Sequence, residues 1–185
     1  MQQVYASTRA LQDIHTAYKP AVTYPQTSLA SGLRVLAETV NARLGLRVGY
    51  VSLGGFDTHD SELIGQPPLL QRLDQALKAF YEDLEAHGQA DRVTTMIWSE
   101  FGRRVTENAS GGTDHGKGNV VLVLGPPVKG GLYGEPLDLG KLDNGDVAFR
   151  TDFRSVYATL LQDWMQTDAK EALGARYSSL GFMRV

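Results

Sequence analysis

Apolar positions along the chain fall into alternating helix-like and strand-like runs. Val4, Leu11, Ile14 and Tyr18 are spaced for one face of a helix over 1–18. Lys19-Pro20 ends it, since the residue before proline avoids the helical region. Leu29, Leu33, Leu36, Ala37 and Val40 predict a second helix, capped at Thr27 or Ser28 and stopping near Gly45. Over 46–53 apolar residues occupy both parities, as in a strand buried on both faces. After Pro67-Pro68, the stripe Leu70, Leu73, Ala76, Leu77, Phe80 and Leu84 predicts a long helix over 69–87, with Gly88 as its stop.

Residues 92–98 are β-branched and apolar and predict a second strand. A polar, glycine-rich loop over 108–117 leads to a third strand at 119–124. Residues 134–149 read as irregular. Asp152 caps a helix through Trp164, and a shorter helix follows from Ala169. The order of helices and strands predicts a single α/β domain over 1–185, a layered αβα arrangement with a mostly parallel sheet. In it, 1–45 is a helical N-terminal segment and 46–185 is the α/β metal-site core. Ligands in such sheets gather beyond the carboxyl ends of the strands.

Composition narrows the function classes. At 185 residues, with 42% apolar and 21% charged residues, the chain can bury a core and is not of disordered type. A net charge of −3 with scattered basic residues gives no basic stripe, which argues against nucleic-acid binding. The chain has no cysteine, so disulfides and thiol catalysis are excluded. No apolar run reaches the ~20 residues of a membrane span, and the first residues show no secretory signal.

The chemistry concentrates in three short strings. Gly54-Gly55-Phe56-Asp57-Thr58-His59 and Gly112-Thr113-Asp114-His115-Gly116 each hold a histidine within two residues of an aspartate, and Ser99-Glu100-Phe101-Gly102-Arg103-Arg104 lies between them. Residues two apart in an extended segment point the same way, so Asp57 and His59 can share an ion. They can equally be a turn cap and a polar loop residue. Asp114 and His115 sit in a glycine-flanked loop that relaxes the backbone, with an Asx turn as the plainer reading. Glu100 follows a buried strand and must be hydrated, paired with Arg103 or Arg104, or metal-bound. Asp57, His59, Glu100, Asp114 and His115 together offer the oxygen and nitrogen donors that one or two divalent ions require, with Zn, Mn, Fe or Ca as the metals. Arg103 and Arg104 suit a phosphate or sulfate group, or a solvated surface pair. His15 and His87 fall in helical segments without neighbouring ligands.

These strings resemble the DUF1501 family, which is similar to the alkaline phosphatase and sulfatase superfamily. The resemblance runs from about residue 25 to the C-terminus, through Asn108, Val128-Lys129-Gly130-Gly131 and the helix from Asp152 to Trp164. It implies an alkaline-phosphatase-like fold whose N-terminal half, with the nucleophile, is absent from this chain. It places Asp57 and His59 as the first ligand pair, Glu100 as the strand-end carboxylate and His115 as the later histidine. Phe101 stands where the superfamily has a ligand histidine, so one metal position is differently built. The implied activity is metal-dependent hydrolysis of a phosphate or sulfate ester, on an anionic small molecule or polymer, with no nucleophile assigned here. A non-catalytic binding or assembly module is the other reading. The resemblance further implies a periplasmic or extracellular location, while the absence of a signal in this chain leaves a cytoplasmic one open, and exposed apolar edges of such a domain imply a homo-oligomer.

Overall fold

A computed structural model of the chain describes residue 12 and residues 14–184. The helix expected over 1–18 therefore lies mostly outside the described residues, although 14–17 are helical. The chain divides into two compact units, one formed by residues up to 58 together with 63–90, the other by 59–62 and 91–185. No helix among the described residues is long and apolar enough to cross a membrane.

In the first unit, α1 (Ser28–Asn41) begins where the Thr27 hydroxyl accepts from the Ala30 amide. It buries Leu29, Ala30, Leu33, Ala37 and Glu38. The second helix, α2 (Glu62–Ala86), starts seven residues before the expected Leu69, with Pro67 and Pro68 inside it. Gly88, at φ 65°, follows it in the left-handed conformation that glycine tolerates. Burial here includes charge. The fully buried Asp83 carboxylate accepts from the Tyr18 hydroxyl at 2.8 Å, the Tyr24 hydroxyl at 2.9 Å and the Ala21 amide at 2.7 Å. Burial, and then the bond to Asp83, push both phenols above their ordinary pKa. Glu38 is likewise held by Arg34 at 2.9 Å and His15 at 2.8 Å. His87 Nδ1 donates to the Asp83 carbonyl at 2.8 Å. The two histidines left out of the metal reading thus have structural partners.

The segment 46–53 forms no strand, a correction to the sequence reading. It packs locally, since a Cβ at Gly49 would lie 2.6 Å from Leu36 and one at Gly32 would lie 2.9 Å from Val51. Val48 and Tyr50, however, are 71% and 74% exposed.

The second unit contains β1 (Thr95–Ile97), β2 (Gly102–Glu107), β3 (Thr113–Gly116), β4 (Leu122–Leu124), β5 (Leu142–Asp143) and β6 (Asp146–Val147). They pair as β1–β4, β2–β3 and β5–β6, every pair antiparallel and every sheet two-stranded. This overturns the layered αβα, mostly parallel, alkaline-phosphatase-like architecture. The reason is in the connections. Parallel neighbours need a crossover, usually a helix. The chain instead leaves β1, makes the β2–β3 hairpin and returns directly into β4, so β4 runs back along β1.

Asp152 caps α3 (Phe153–Thr159) by accepting from the Arg154 amide, and the helix continues as a π-helical turn, Leu160–Trp164. The final helix, α4 (Ala169–Leu173), is capped by Asp168 and stopped by Gly174 at φ 73°. Val156, Phe182 and Met183 form the core of this unit, with Met96, Val121, Val123, Leu160 and Trp164 packed against them. The buried Thr159 hydroxyl donates to the Ser155 carbonyl at 2.7 Å and accepts from Leu180 N at 2.8 Å, tying α3 to the tail.

Candidate metal centre

The third string forms strand rather than loop. Arg103 pairs with His115 and Gly102 with Gly116 across the β2–β3 hairpin, and the register shifts between Arg103 and Glu107. Asn108 shapes its turn: the side-chain oxygen accepts from the amides of Ser110 at 2.9 Å and Gly112 at 3.1 Å. This is the Asx geometry for which asparagine is suited.

Residues 59–62 lie on that hairpin. Asp60 bridges Gly111, and the amides of Ser61 and Glu62 donate to the carbonyls of Ser110 and Gly111. The Thr113 hydroxyl donates to Glu62 Oε2 at 2.6 Å, and the Asn108 amide donates to the His59 carbonyl at 2.9 Å. A Cβ at Gly112 would lie 2.3 Å from the His59 carbonyl carbon and 2.6 Å from Asp60 N. Only a glycine admits so close a backbone approach.

This docking sets His59 between Asp114 and His115. Its Nδ1–H donates to Asp114 Oδ1 at 3.3 Å. Its Nε2 faces His115 Nε2 at 3.2 Å. With Nδ1 committed as a donor, Nε2 presents a lone pair, the tautomer that metal-binding histidines adopt when a carboxylate stands behind them. Two imidazole nitrogens bound to one tetrahedral zinc at ~2.0–2.1 Å lie about 3.3 Å apart, so the observed separation fits a shared ion. Asp57 lies two residues ahead of His59 in the same continuous stretch, and one ligand atom from each of Asp57, His59 and His115 lies within 4.8 Å of the others. All three residues are exposed. The Asn108 amide, at 3.4 Å, and then His59 hold the Asp114 carboxyl below the usual range.

The remaining residues singled out in the sequence fall elsewhere. Asp114 reaches the back of His59 and is not in the group of three. Glu100 is exposed at the bend between β1 and β2, also outside it. Arg104 places Nε 3.6 Å from Asp146 Oδ1 and donates to the Asn144 carbonyl at 2.8 Å. Arg103 donates to the Thr113 carbonyl, and its guanidinium carbon lies 5.0 Å from the centre of the Phe101 ring. The Phe101 ring stacks on His115, centroids 3.8 Å apart and planes 9° from parallel. Asn108 and Glu62 were not assigned a role from the sequence. The signal for Asn108 was an asparagine four residues ahead of Gly112, the spacing of its turn. Nothing in the sequence around Glu62 marks its bond to Thr113.

No curated protein and no solved structure matches the chain. A family model described as "Protein of unknown function (DUF1501)" matches residues 2–174. The match takes in the Asp57–His59 segment, the hairpin with His115 and the capped helix from Asp152, and the chain belongs to the DUF1501 family.

Proposed function

We propose that this chain binds a divalent transition metal through His59, His115 and Asp57, and that the site serves hydrolysis of a phosphate or sulfate ester. The observation that carries the metal reading is the facing pair of Nε2 atoms, 3.2 Å apart, with a carboxylate behind one of them. Two imidazoles and one carboxylate suit zinc, iron or manganese better than calcium, which prefers an all-oxygen shell. A bound ion of this kind lowers the pKa of a water and polarises an ester oxygen.

The chain's own residues supply the rest. Asp114 fixes the His59 tautomer, and three protein ligands leave coordination positions for water or substrate. Arg103, the cross-strand neighbour of His115, puts a cation beside the cluster for an anionic ester. Arg104, turned to Asp146 and Asn144, is the weaker choice. The order of Asp57, His59 and His115 along the chain, similar to that of alkaline phosphatases and sulfatases, supports the ester. This support lies in the ligands and does not involve a parallel sheet. The same resemblance supports a periplasmic or extracellular location.

A second reading, a metal-clamped binding module without turnover, draws on the local hydroxyls. Thr113 Oγ1 is committed to Glu62, and Ser99 Oγ donates to the Phe101 carbonyl at 3.0 Å. Neither is paired with an imidazole, the base that most often activates a hydroxyl nucleophile.

Elemental analysis of the purified chain, beside His59→Ala and His115→Ala, tests the first step. Near-stoichiometric metal, lost in both variants, supports the site, whereas a wild-type chain that stays metal-free after reloading overturns it. Hydrolysis of a nitrophenyl phosphate or sulfate, lost in the same variants, then separates the hydrolase from the binding module.

A further inference from the structure

Each histidine of the centre has a group set against its ring. His59 has a carboxylate at its Nδ1. His115 has the flat face of Phe101, stacked 9° from parallel at 3.8 Å. His115 is an exposed residue on β3, where an unrestrained imidazole samples several rotamers and loses that freedom when it binds.

Phe101 itself is anchored. The backbone that follows it is pinned at Gly102, where a Cβ would fall 1.7 Å from the Gly118 carbonyl oxygen. The Arg103 guanidinium over the ring adds a cation–π contact. Phe101 carries no donor atom, so it cannot compete for the ion. What it can offer is orientation.

We infer that Phe101 is a positioning residue whose ring, stacked on His115, fixes the imidazole so that its Nε2 meets the Nε2 of His59. The inference rests on the metal-site reading, but its test does not depend on metal alone. A phenyl face restrains the imidazole plane, whereas a branched aliphatic side chain fills space without doing so. Tyrosine keeps the face and is the rescuing variant.

The experiment uses the full chain as wild type, Phe101→Leu and Phe101→Tyr. Zinc affinity is read by competition with a chromophoric chelator. Phe101→Leu should bind about tenfold more weakly, the scale of loss when a partner behind a ligand is removed. Phe101→Tyr should stay within about twofold of wild type on the same scale. NMR of the metal-free protein supplies the second readout. His115 ring protons should be shifted upfield by the stacked phenyl, with a cross-peak between the His59 and His115 rings, and both should vanish in Phe101→Leu and return in Phe101→Tyr.

A Phe101→Leu chain that binds zinc like wild type, or that retains the His59–His115 cross-peak, overturns the positioning role and leaves the metal site standing. A wild-type chain that binds no zinc overturns the metal reading, and the cross-peak comparison then decides the role of Phe101 by itself. If circular dichroism shows Phe101→Leu unfolded, Phe101→Met, closer in bulk and equally without a flat face, replaces it with the same expected losses.

Discussion

The side-chain amide of Asn108 donates to the backbone carbonyl of His59 at 2.9 Å, so the residue that shapes the hairpin turn also fixes where the first motif ends. The same amide reaches Asp114 Oδ1 at 3.4 Å. Asn108→Ala should therefore loosen His59 and its carboxylate together. Zinc affinity should fall about tenfold, as for other partners one shell behind a ligand. Isothermal titration checks it, and an unchanged affinity would remove Asn108 from the account of the site.

Gly112 makes a second link between the motifs. A methyl group there runs into the peptide bond between His59 and Asp60, at 2.3 Å from the carbonyl carbon and 2.6 Å from Asp60 N. Backbone cannot rotate away as a side chain can, so Gly112→Ala must push residues 59–60 off the hairpin. A cost of about 2 kcal/mol is expected from overpacking, together with loss of metal binding. Urea denaturation and metal content measure the two parts.

Asp83 is the polar centre of the first unit. Asp83→Ala strands the Tyr18 and Tyr24 hydroxyls and the Ala21 amide together. Each stranded buried donor costs roughly 1–3 kcal/mol, so a loss of about 3 kcal/mol or more is expected. Tyr24→Phe removes one donor and leaves the carboxylate with the others, and about 1 kcal/mol should be lost. Equal effects of the two substitutions would show that the carboxylate is not the hub.

Asp152 gives a pH dependence with a definite sign. The Arg154 side chain, and then its backbone amide, hold the Asp152 carboxyl below the usual range. A carboxyl whose folded-state pKa is depressed stabilises the fold above its unfolded value and loses that contribution as pH falls through the folded value. Asp152→Ala should cost about 1 kcal/mol near neutral pH. The difference from wild type should shrink below about pH 4, where the unfolded-chain aspartate protonates. Denaturation midpoints of both chains across pH 2–7 test it.

Local signals carried into the structure and non-local ones did not. Thr27, Asp152 and Gly88 act within one turn of themselves, and the helices they bound were readable from sequence. Strand β4 and the antiparallel return to β1 grew from a short apolar run and a connection without a helix. The run over 46–53 has strand composition but forms no strand, because composition does not say which neighbour pairs with it. The β2–β3 hairpin leaves little trace in the sequence because Arg103, Arg104, Thr113, Asp114 and His115 carry almost no apolar alternation. The start of α2 is not legible in the sequence, because prolines normally mark a helix's beginning and here Pro67 and Pro68 lie inside it. At the site, the strings pointed to Asp57, His59, Glu100, Asp114 and His115 together, and the structure groups Asp57, His59 and His115. Spacing could not tell that Asp114 stands behind His59 and that Glu100 stands outside the group of three, since that depends on how the loops dock.

The β1–β4 ribbon has a surface of the wrong kind for water. Within β4, Val123 packs on the core, yet its neighbours Leu122 and Leu124 are also apolar and remain 48% and 37% exposed. An antiparallel ribbon with one wet face ordinarily alternates apolar with polar residues. Colloidal behaviour, not folding, is where this tells. At high concentration this uncovered face attracts its like. Leu122→Thr should leave the denaturation midpoint nearly unmoved and raise the concentration at which light scattering still finds a single species.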